Sequence, residues 1–264
     1  MNRVLLYLDI IGFENLVRKN PVKVKQIFQI FDNLKVHKHF AIETVVFSDT
    51  ILVFNKALNH SKDYYCTYLI EYSQDIFYKL LSINVYFKGI LTFGEFNFFN
   101  MNNIQAYYGS ALIDAHNDEK ILEGFGLYVD KSLSDDIILF DKIHFSDKYD
   151  FILLCQSIKK LYDSTEGILP IDINLLKETD TFYRIDEDLR FFREIEFLKE
   201  NHPSENIKAK YQKVYNTYKT YLPKFFKAFE VQGFLPFTIN SDFTGSINPF
   251  EIISEQELIS NKEP

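Results

Sequence analysis

Val4-Leu5-Leu6-Tyr7-Leu8-Asp9-Ile10-Ile11-Gly12-Phe13 is the stretch that decides the fold. Val4 to Leu8 is continuously apolar, without polar alternation, and reads as a strand buried on both faces, with Asp9 at its end. Asn20-Pro21 follows, Asn20 as a helix N-cap and Pro21 in the first turn. From Pro21 to about Phe40, Val24, Ile27, Phe28, Phe31 and Leu34 then recur at helical spacing. Glu43 to Phe47 and Thr50 to Phe54 are β-rich runs joined by Ser48-Asp49, a hairpin signal. Lys62 to Ser82 is helical again, through Tyr65, Leu69, Tyr72, Ile76, Phe77 and Leu80. Ile83 to Thr92 and Glu95 to Phe99 read as two strands joined near Gly94, Gly109 to about Leu122 as a helix, and Leu127 to Val129 as a short strand. That order specifies an α+β domain with a ferredoxin-like βαββαβ core.

The second half is patterned less clearly. Ile137 to Phe140 and Phe151 to Cys155 read either as short strands or as helix fragments. In 204–229, Ile207, Tyr211, Val214, Tyr218, Tyr221, Leu222, Phe225 and Phe229 form one apolar stripe, the mark of a packed helical face. The tail from Asn240 mixes Ser, Asn, Pro and acids and reads as a fraying end. The expected division is a first domain at 1–135 and a C-terminal extension at 136–264 packed on it, helical at about 204–229.

Composition narrows the function classes. The 264 residues carry 29 Lys+Arg against 37 Asp+Glu, a net charge of −8, which argues against a surface that coats nucleic acid by charge. With 47% hydrophobic and 17% aromatic residues the chain has ample material for a core, which excludes intrinsic disorder. Cys66 and Cys155 are the only cysteines, too few for a disulfide framework or a multi-cysteine zinc site. No run of about 18 uncharged apolar residues supports a membrane span, and the N-terminal apolar run contains Asp9, so no membrane and a cytoplasmic setting are expected.

The familiar signatures of phosphate loops, dinucleotide folds, zinc proteases and serine hydrolases are absent. What remains is a pair of carboxylates, Asp9 at a strand end and Asp49 at a hairpin tip. In a ferredoxin-like core the first strand lies beside the hairpin strand, so the two converge across 40 positions of sequence. Each singly also reads as an ordinary turn or capping residue. Together they suit hard divalent cations, which in turn hold a triphosphate. Gly12 lets backbone amides approach phosphate oxygens.

The segments LDIIGF (8–13), FSDTI (47–51), KGILTFGE (88–95), YGSALIDAHNDE (108–119) and KYQKVYNTYKTYL (210–222) fall in the order of the class III nucleotide cyclases. Over about four fifths of the chain they resemble most closely the pyrimidine (cytidylate and uridylate) cyclases of the Pycsar antiphage systems. The resemblance implies that Asp9 and Asp49 bind two divalent ions, Mn2+ or Mg2+, with Ile10 contributing a backbone ligand. It implies that backbone groups of Ile11, Gly12 and Phe13 contact the phosphates, and that Lys88 takes a catalytic, phosphate-facing role in place of the family's Arg. A Lys there keeps the charge and loses the bidentate fork, and Lys88 reads equally as a solvated strand-edge lysine.

The implied reaction converts CTP or UTP to the 3′,5′-cyclic monophosphate and pyrophosphate, a second messenger for a separate cyclic-nucleotide-responsive effector in phage defence. The enzyme would be a homodimer with composite sites at its interface. Purine-specific relatives carry a polar base-reading residue four positions before the second metal Asp; here that position is Val45, and Val45, Phe47 and Thr50 are the candidate base pocket. Cytosine and uracil are not separated. Ile113 and Asn117 occupy the positions of the family's usual transition-state Asn and Arg, which motivates the alternative of a catalytically degenerate, dimeric nucleotide-binding or regulatory module.

Overall fold

The computed structural model describes residues 1–34, 38–171 and 184–241, and divides the chain into two compact units, Met1–Leu154 and Cys155–Glu263. In the first unit β1 (Asn2–Ile10) is central, hydrogen-bonded to β3 (Thr50–Asn55) on one side and to β4 (Phe87–Glu95) on the other. Its buried run from Val4 to Leu8 shows why no polar alternation is present: both faces are covered. With β2 (Ile42–Phe47) outside β3, the order β2-β3-β1-β4 has every neighbour antiparallel. This is the interleaved pairing of a ferredoxin-like core, as expected.

The helices are α1 (Phe13–Lys19), α2 (Pro21–Asp32), α3 (Lys62–Leu81) and α4 (Ser110–Ile121). Asn20 caps α2 through its side chain, which accepts the Lys23 N–H at 3.1 Å, and Pro21 takes the first helical position. α2 stops well short of Phe40. At its end the Asn33 side chain donates to Gln29 O at 2.8 Å and satisfies a terminal carbonyl, closing the helix. The expected helical stretch also included residues 35–37, which lie outside the described residues.

The expected turn near Gly94 is a correction. β4 runs straight through Gly94 to Glu95, paired along its length with β1. Gly94 is small because α4 passes over it: a methyl added there would lie 3.3 Å from Ala111 Cβ. The following strand β5 (Asn97–Asn100) pairs with β6 (Gln105–Tyr108) in a separate two-stranded sheet. β7 (Gly126–Asp130) joins the main sheet parallel to β4, and β9 (Tyr149–Ile152) and β8 (Lys142–His144) extend it to seven strands. The sheet of the first unit therefore continues past 135. Of the two open segments, Phe151–Ile152 is strand and Ile137 follows a 3-10 turn at Lys131–Asp136.

The second unit is helical: α5 (Gln156–Thr165), α6 (Ile185–Asn201), α7 (Glu205–Tyr221) and α8 (Pro223–Phe229). The stripe over 204–229 is two helices, because Pro223 has no N–H with which to continue α7. Phe192 sits at the centre of its core, with ring centroids of Tyr218 and Phe226 each 5.1 Å away. Asp188 of α6 is fully buried and accepts the Ile158 N–H at 2.9 Å, capping α5 from a neighbouring helix. The tail beyond residue 241, expected to fray, lies outside the described residues. No helix of the described residues is long and apolar enough to cross a membrane.

Candidate active site

Register places the site. Asp9 of β1 is opposite Thr50 of β3 and Lys88 of β4, and Phe47 of β2 is opposite Thr50. Directly opposed residues of antiparallel strands share a face, so Phe47, Thr50, Asp9 and Lys88 form one row across four strands. The row behind it holds Val45, Leu52, Tyr7 and Ile90. All three candidate base-pocket residues thus stand on the same sheet face as Asp9. Phe47 is 79% exposed, an apolar ring at the open end of the hairpin.

Asp49 lies in the two-residue turn between β2 and β3, after Ser48 at φ 58. The Ile10 N–H donates to the Asp49 carbonyl at 3.1 Å, tying the end of β1 to the hairpin turn. Tyr7, two positions before Asp9, has its phenol pKa raised. Burial pushes its phenol up most, the hydrogen bond with Thr50 pulls it down, and the charges of Asp9, Glu119 and Asp49 push it further up. The Tyr7 hydroxyl is 3.1 Å from Nδ1 of His116 on α4.

Beyond the turn a cleft of about 480 Å³ is lined by Gly12, Phe13, Glu14, Asn15, Arg18 and Asp49. Gly12 is left-handed at φ 73, a conformation that favours glycine and turns the chain from β1 into α1. The Ile11 N–H is taken by Tyr86 O at 3.0 Å. The amides of Phe13 and Glu14 head the helix, where the geometry supplies no intrahelical acceptor.

Asp9 and Asp49 offer hard oxygen donors of the kind that suit Mg2+ or Mn2+, and the Ile10 carbonyl lies in the segment beside them. Among the described residues no group of three or more His, Cys, Asp or Glu forms a metal cage. Two carboxylates without a third fit ions that take their remaining ligands from phosphate and water.

Lys88 is placed differently from a phosphate ligand. It is 4% exposed, donates to Glu119 O at 2.7 Å and Leu122 O at 2.9 Å, and lies 3.0 Å from Glu119 Oε1. Its three N–H donors are thus matched by three acceptors at the C-terminal end of α4, where a cation complements the helix dipole. Lys88→Met should leave the Glu119 carboxylate and two carbonyls unpaired and cost on the order of 3 kcal/mol, read as a loss of stability to urea. Stability within about 0.5 kcal/mol of wild type would contradict this placement. Ile113 and Asn117 are both exposed on α4.

Sequence reasoning missed Tyr7, His116 and Arg18. Tyr7 reads as one more apolar strand residue, yet its position two before Asp9 puts it on the same face, which is the signal available.

No protein-family model matches the chain, and no curated protein matches it. Among solved structures it is similar to the guanylate cyclase domain of Catenaria anguillulae in complex with GTP, at 10% identity over 58% of this chain and 96% of that one, with a TM-score of 0.43. It is similar to a bacterial light-regulated adenylyl cyclase at 13% identity, over 58% of this chain and 51% of that one, TM-score 0.44. An adenylyl cyclase of P. aeruginosa gives 11% identity over 58% and 93%, TM-score 0.39. Likeness at this level is remote, and the site's own residues carry the reading that follows.

Proposed function

We propose that the chain is a metal-dependent nucleotide cyclase that converts CTP or UTP to the 3′,5′-cyclic monophosphate and pyrophosphate. The observation that carries the reading is the pairing of Asp9 with Asp49, brought to one end of the sheet by the β1–β3 register and the Ile10-to-Asp49 hydrogen bond. Asp9, Asp49 and the Ile10 carbonyl would hold two divalent ions, which when bound lower the pKa of the ribose 3′-hydroxyl and neutralise charge on the leaving pyrophosphate. Gly12 and Phe13 would present backbone to the phosphates along the cleft. Ile11, whose amide is engaged with Tyr86, fixes the course of that turn.

Val45, Phe47 and Thr50 would meet the base. Val45 offers no hydrogen-bond partner to a purine edge, and Phe47 and Thr50 supply a stacking ring and one hydroxyl. The exposed Phe47 ring suits a site completed by a second copy, so a homodimer with composite sites is part of the reading. The product would act on a separate effector in phage defence. A catalytically degenerate, nucleotide-binding regulatory module is the second reading, favoured by one observation: Lys88 is committed to α4, and Ile113 and Asn117 bring no charge.

Incubation of the pure chain with ATP, GTP, CTP and UTP separately, each with Mn2+, tests both. A cyclic pyrimidine product identified by mass spectrometry is expected and names the base. Metal-dependent binding of CTP or UTP without product supports the regulatory module. A purine product, or no binding at all, overturns the reading.

A further inference from the structure

With Lys88 locked into α4, the triphosphate cleft needs another source of positive charge. Of the six residues that line it, two are carboxylates and one is a cation, Arg18. The α-helical spacing of α1 sets Glu14 and Arg18 four apart on the cleft side, and the guanidinium donates from Nε at 3.1 Å and from Nη2 at 2.9 Å to a single oxygen, Glu14 Oε1. That leaves three of the five donors of an Arg fork uncommitted, on a side chain that is 72% exposed.

An exposed pair of this kind contributes little to stability. Its arrangement is informative for another reason. Glu14 lines the same cleft and repels an anion, while Arg18, only partly engaged by it, keeps donors for a phosphate that enters there.

We propose that Arg18 is the side chain that grips the terminal phosphates of the substrate, with Glu14 as a carboxylate that orients it and yields it when phosphate arrives. This rests on the triphosphate reading given above. No metal ligand changes in the variants that test it, and Arg18 and Glu14 are exposed enough for substitution without loss of fold.

The experiment is equilibrium titration of the full chain with Mg2+–tripolyphosphate, Mg2+–CTP and CMP. The wild type should bind both triphosphates. Arg18→Ala should weaken both by about tenfold and leave CMP unchanged, as expected for loss of a charge-assisted contact to terminal phosphate. Glu14→Gln should tighten both by roughly threefold, because a competing carboxylate is removed. Opposite signs for two members of one surface ion pair would not arise from a merely structural role. Wild-type binding with an unchanged Arg18→Ala affinity overturns the assignment of Arg18 and leaves the cyclase reading standing. Failure of the wild type to bind either triphosphate overturns the cyclase reading, and the role of Arg18 falls with it.

Discussion

Asp9→Asn and Asp49→Asn should each reduce cyclic product formation by roughly a thousandfold or more while the chain remains folded. Asn matches Asp in shape and keeps a neutral oxygen, so the β1–β3 register and the Ile10-to-Asp49 carbonyl bond persist in both variants. What changes is charge. A carboxamide is a poor ligand for a hard dication beside a polyanion, and each single loss leaves one carboxylate of the pair. Both variants should therefore look alike in rate and in circular dichroism. Wild-type turnover in either variant would contradict the assignment, and loss of the folded signal would make Asp9 or Asp49 a structural residue instead.

Gly109→Ala should have the largest effect on stability of any small substitution in the first unit. Gly109 stands at φ 155 at the entry to α4, and an added Cβ would lie 2.1 Å from Glu95 O and 2.8 Å from Phe96 Cα. Those neighbours are backbone. They cannot rotate away as a side chain would, so relief requires moving either the end of β4 or the start of α4. The loss should exceed about 3 kcal/mol, seen as a fall in Tm or as failure to accumulate folded protein. A Tm within a few degrees of wild type would show that the chain between β6 and α4 adopts another course. Gly12→Ala makes a useful contrast: Gly12 is at φ 73 with nothing within 4 Å of the added carbon, so only the backbone conformation opposes it, at about 1 kcal/mol.

The two glycine sites also show what the sequence could carry and what it could not. The central strand was legible because Val4 to Leu8 leaves only one way to satisfy a continuous apolar run, and Asn20-Pro21 announced α2 by chemistry that acts within one turn. The position of the Asp49 turn beside the end of β1 followed from topology, since β1 and the hairpin strand are neighbours in a ferredoxin-like sheet. Gly94 was misread because a glycine that makes room for a helix looks the same in sequence as one that makes a turn; the difference is Ala111, seventeen positions away, packed against it.

The commitment of Lys88 was invisible for a similar reason. Its acceptors are Glu119 and Leu122, which only the packing of α4 on the sheet delivers. α6 went unread although Leu189, Phe192, Ile195 and Leu198 recur along it and acidic residues crowd its first turn. Those acids, Asp186, Glu187 and Asp188, are the residues a helix start favours. Arg18 carries no signal in the sequence, and only the shape of the cleft gives it a role beyond its pairing with Glu14.

The central claim is that Asp9 and Asp49 together hold metal against a nucleoside triphosphate. Electron paramagnetic resonance titration of Mn2+ in the presence of 3′-deoxy-CTP, which lacks the hydroxyl that would react, tests it without any turnover. Mn2+ should bind with the nucleotide to the wild type and be lost from the Asp9→Asn, Asp49→Asn double variant. Equal Mn2+ binding by the two proteins would contradict it.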